Sequence, residues 1–71
     1  MKKKPTKADA FEAIAKSLRE FGYPRTTAGM VQDAWNAMQE GKKDLEMPHG
    51  VIGAFAYSQL EEHREWIEKL P

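Results

Sequence analysis

His49 and His63 are the only histidines in this 71-residue chain; they stand fourteen positions apart, and there is no cysteine. A zinc site needs three or four convergent ligands, usually including a close pair such as His-x-x-x-His. Glu62 precedes His63, but no second histidine is near. Without cysteine, thiolate metal sites and disulfides are both excluded. His63 falls near the middle of an apolar helical stripe, as does Gln59. There a lone histidine serves as a hydrogen-bonded edge of the core or as part of a self-association surface. His49 follows Pro48 and reads as a cap or turn group rather than a base.

Nucleophilic catalysis would require Ser17, Ser58 or a threonine aligned with a histidine and an orienting acid. Ser58 approaches neither histidine, and the threonines are accounted for as helix caps. Carboxylates cluster only at Glu61, Glu62, Glu65 and Glu68, where Arg64 and Lys69 offer partners at helical spacing, the pattern of a solvated face. No phosphate-binding loop, dinucleotide fingerprint or deaminase signature is present. The residues therefore predict no enzyme, no catalytic or metal site and no cofactor.

Nucleic-acid binding needs lysine and arginine to displace counterions from phosphates. Net charge is zero, but residues 1–7 hold four lysines and no acid. Lys2, Lys3, Lys4 and Lys7, with Arg25, Lys42 and Lys43, are the candidate nucleic-acid contacts. The second helix, the natural reading element of a three-helix DNA-binding frame, exposes Gln32, Asp33, Asn36, Gln39 and Glu40 and no basic residue. DNA binding through the basic tail is therefore the alternative expectation, not the first.

The elements that must position these residues are helical. Thr6 and Asp9 have capping-box spacing, and Ala8, Phe11, Ile14, Ala15, Leu18 and Phe21 form one stripe before Gly22 and Pro24 stop the helix. Thr26 or Thr27 caps a second helix with Val31, Ala34, Trp35 and Met38 on its apolar side, ended by Gly41. Leu45 and Met47 anchor the polar linker. Pro48 fits the first position of a third helix, along which Phe55, Ala56, Leu60, Trp66, Ile67 and Leu70 lie within about 80° of Ile52. The expected fold is all-α: a compact three-helix bundle (helices about 7–21, 27–40 and 48–69) forming one domain over 6–71, with a flexible basic tail over 1–5. No apolar run is long enough to cross a membrane and no signal core follows the lysines, so a cytoplasmic location is expected.

Gly50 and Gly53 open the third helix at a cost of about 1 kcal/mol each relative to alanine. Either they make room for Trp35, Phe55 or a neighbouring backbone within the bundle, or they form a small-residue groove for a second chain; an anion site at the helix start, near Lys42 and Lys43, is a third option. Seven aromatics are many for this size. Phe11, Phe21, Trp35 and Phe55 can fill one core, leaving Tyr23, Tyr57 and Trp66 partly exposed.

The segments FGYPRTTAGMVQDAW and PHGVIGAFAYSQLEE resemble short helical proteins encoded by phages of actinobacteria. The resemblance covers residues 11–62 and implies a small accessory protein; the group has no established activity, so no residue roles carry over. The expected function is a non-enzymatic protein–protein interaction module that forms a homodimer or binds another protein. Its expected contact residues are Gly53, Phe55, Tyr57, Gln59, His63 and Trp66.

Overall fold

Thr6 opens the first helix, α1 (Lys7–Phe21), through a reciprocal cap. Its hydroxyl accepts the Asp9 amide at 3.3 Å, and the Asp9 carboxylate accepts the Thr6 amide at 2.9 Å. Gly22, at φ 132°, closes the helix in a conformation that side-chain-bearing residues rarely adopt. Of the two threonines that could start α2 (Ala28–Gln39), Thr27 is the cap, accepting from the Met30 amide at 3.2 Å. Thr26 is buried instead, and its hydroxyl donates to the Tyr23 carbonyl at 2.8 Å. The Thr26 carbonyl in turn accepts from Arg19 Nη1 at 2.8 Å, which ties the turn back to α1. These contacts belong to a computed structural model that describes residues 4–71.

The third segment departs from the single helix expected over 48–69. Pro48 does not lie in it: His49 and Gly50 take left-handed conformations, φ 70° and 59°, and α3 runs Gly50–Glu62. At His63 (φ −110°, ψ 16°) the helix is interrupted, and a five-residue helix, α4, follows as Arg64–Glu68. The chain is thus all-helical among the described residues, with three longer helices and a short fourth.

All pairs of α1, α2 and α3 are in contact, and α4 rests on α1 and α3. The interior they enclose holds Phe11, Ile14 and Leu18 of α1, Val31, Trp35 and Met38 of α2, Met47 of the linker, Leu60 of α3 and Ile67 of α4. Each such side chain contributes roughly 1.5–3 kcal/mol on leaving water. Phe11 and Trp35 form the aromatic centre, with ring centroids 6.0 Å apart. The start of α1 is also joined to the last residues: the Lys7 amide donates to the Pro71 carbonyl oxygen at 2.9 Å, and Lys7 Nζ donates to the Leu70 carbonyl.

Three expected core positions lie at the surface. Phe21 and Phe55 are exposed rather than packed beside Phe11 and Trp35, and Leu45 is 95% exposed and anchors nothing, leaving Met47 to hold the linker. Lys4 and Pro5 of the expected tail are exposed and non-helical; Met1, Lys2 and Lys3 lie outside the described residues. No helix among the described residues is long and apolar enough to cross a membrane.

Candidate interaction surface

The exposed aromatics are not scattered. Phe21 ends α1, Tyr23 follows in the turn and Phe55 projects from α3, and the three rings meet. Their centroids are 6.2 Å apart for Phe21–Tyr23, 5.8 Å for Phe21–Phe55 in an edge-on arrangement, and 5.4 Å for Tyr23–Phe55. Pairs at these separations attract beyond simple area burial. Yet Phe21 remains 71% and Phe55 38% exposed. One ring cluster therefore faces water.

From this cluster a trough follows the seam between α1 and the α3–α4 segment. It consists of a depression of about 540 Å³ beside Phe21 and Phe55 and one of about 420 Å³ beside Trp66. Ser17 and Gln59 line both and join them. Ala10 and Ala13 form part of the α1 wall, and their short side chains keep it low. His63 and Trp66 form the opposite wall at the far end, where Trp66 is 54% exposed. The two charged groups lining the trough are acidic: Asp9 near Trp66 and Glu20 near Phe21.

The trough thus brings together Phe55, Gln59, His63 and Trp66 of the expected contact residues. Gly53 is buried and offers no contact surface. A Cβ on it would lie 1.8 Å from the Pro48 carbonyl oxygen, so the small residue accommodates the chain's own linker, not Trp35, Phe55 or a second helix. Tyr57 points to the other side of α3, half-buried near Asp44 and Glu61. Burial there, with the charges of Glu61 and Asp44, raises its phenol above the ordinary value.

Phe21 and Tyr23 belong to the same surface, as do Ser17, Asp9 and Glu20, none of which stood among the expected contacts. The available signal was position: Phe21 is the last residue of α1, where a stripe runs past the helices that cover it.

The histidines are held apart at the two ends of α3, a helix of about 20 Å. His49 Nε2 lies 2.8 Å from Asp33 Oδ2, pinning the start of α3 to α2. His63 makes no side-chain hydrogen bond among the described residues. Among those residues, no three histidine or carboxylate groups are close enough to hold a metal.

The basic candidates are not gathered on one face. Lys7 Nζ is engaged with the Leu70 carbonyl, and Lys42 pairs with Glu40 at 3.4 Å. Arg25 sits in the turn before α2, while Lys42 and Lys43 follow its far end, about 18 Å along the helix. Lys4 is exposed, and Lys2 and Lys3 lie outside the described residues. No protein family, curated protein or solved structure matches this chain.

Proposed function

We propose that this chain is a non-enzymatic helical interaction module that binds a protein through the α1–α3 trough. In this reading α4 extends the third helix of a three-helix bundle, and the module works in the cytoplasm, in the accessory role that the phage resemblance implies. One observation carries the reading: Phe21 and Phe55, two rings of a mutually packed trio, border one end of the trough and Trp66 the other, in a chain with little core to spare. Aromatic side chains that cost little entropy to immobilise are the usual anchors of protein recognition. Nucleic-acid binding has no comparable support, because the trough's charged lining is acidic and the lysines and arginines are dispersed.

The test compares the full chain with a Phe55→Ser/Trp66→Ser double variant in affinity capture from host extract and in sedimentation. Circular dichroism confirms that both are helical. The wild type captures a protein, or forms a dimer, that the double variant does not. Identical captures together with monomer mass for both chains would overturn the reading.

A further inference from the structure

The trough has a definite shape and a definite sign of charge, and together they select among occupants. Its charged lining is Asp9 at one end and Glu20 at the other, with no lysine or arginine among the described lining residues. Glu20 has no ion-pair partner among the described residues; on the outer side of Trp66 the charge is mixed, Glu62 and Glu65 standing beside Arg64 and Lys69, so the acidity is confined to the trough lining itself. The whole chain is neutral, so this acidity is a local segregation of charge rather than a property of the composition.

A second copy of this chain fits such a face poorly. In a two-fold interface the same patch meets itself. Either end of one trough would then face an acidic end of the other, and like charges in close apposition disfavour docking. Two concave surfaces would also leave a void between them, and that forfeits the close packing an interface core needs. A convex, basic-ended element satisfies both conditions.

Resting on the interaction reading above, we infer that the occupant is an amphipathic helix of a partner protein with lysine or arginine at both ends. Its apolar stripe lies against Phe55, Gln59 and Trp66, and its basic ends meet Glu20 and Asp9. Those carboxylates sit eleven residues apart on α1, about 16 Å, so the matching cations stand about eleven positions apart on a helix of roughly three turns. This is the helix-in-groove mode, with anchors at i, i+4, i+7 and i+11.

The experiment displays a library of 14-residue helices with apolar residues at those four positions and end positions varied over Lys, Glu and Ser. The library is sorted against the full chain and counter-sorted against Phe55→Ser/Trp66→Ser. Lysine is expected to be enriched over glutamate at both ends by tenfold or more. Glu20→Lys is expected to weaken the lysine-ended helices at least fivefold while leaving serine-ended ones unchanged. Equal enrichment of glutamate overturns the inference but leaves the interaction face standing. So does a dimer of the chain alone that the double variant abolishes. If no displayed helix engages this face, the inference fails; the reading it rests on fails only when the wild type and the double variant also give identical captures and monomer mass.

Discussion

The carbonyl oxygen of Pro48 occupies the space that a side chain on Gly53 would need, 1.8 Å from the Cβ position. The contact is backbone against backbone, so no rotamer change can relieve it. Gly53→Ala should therefore destabilise the fold by about 1–3 kcal/mol despite alanine's better helix propensity, because the linker must move. Urea unfolding measures the change. A variant as stable as the wild type would show that the linker adapts freely.

The same linker depends on the left-handed turn at His49 and Gly50. A non-glycine residue pays about 1 kcal/mol for that backbone, and the half-exposed pair with Asp33 offsets only part of it. His49→Gly should consequently be more stable than His49→Ala by about 1 kcal/mol, since both lose the contact with Asp33 and only glycine relieves the backbone. Paired thermal melts decide it. Equal stabilities would mean the turn carries no strain.

Tyr57 predicts a dependence on pH. Burial, then the charges of Glu61 and Asp44, raise its folded pKa above the ordinary 10.0. A group whose folded pKa is raised gives stability that is present below the unfolded value and lost as pH climbs through the folded one. Wild type should thus lose stability above about pH 10 relative to Tyr57→Phe. Urea midpoints of the two proteins at pH 9 and pH 11 test it, and parallel changes would contradict the assignment.

The two tryptophans should separate cleanly. Trp35 is 6% exposed and touches Phe11, so Trp35→Ala removes about 3–5 kcal/mol, comparable to all that one core of this size supplies. Trp66→Ala should cost no more than about 1–2 kcal/mol, because half of that ring is already in water. Trp35→Ala is expected to lose its cooperative thermal transition and Trp66→Ala to keep one. Loss of cooperativity in both would place Trp66 within the stabilising core.

Much of this architecture is legible in the sequence. Thr6 with Asp9, and Gly22 before Pro24, mark both ends of α1, because caps and stops are local chemistry. The third segment was less legible. Pro48 suits a first helical position, but the left-handed pair after it delays α3 by two residues, and the interruption at His63 divides a stripe that looks continuous. Such backbone choices depend on what packs above them, here the Pro48 carbonyl over Gly53. Phe21 and Phe55 were misplaced for a different reason. Hydrophobicity says that a ring gains by burial, not that an interior exists to receive it, and a chain of this length buries only about 60% of its unfolded surface. Of the residues that line the trough, the helical stripe points to Phe55, Gln59, His63 and Trp66. It does not point to Phe21 or Glu20, whose place in the trough depends on how α1 meets α3.

The most direct check on the trough's role is amide chemical-shift mapping of the full chain as the tightest lysine-ended helix from the displayed library is added. Shifts are predicted at Ala13, Ser17, Gln59, His63 and Trp66, with Gln32 and Asn36 on the outer side of α2 unmoved. Shifts centred on α2, or none at saturating helix, would contradict a binding face along α1 and α3.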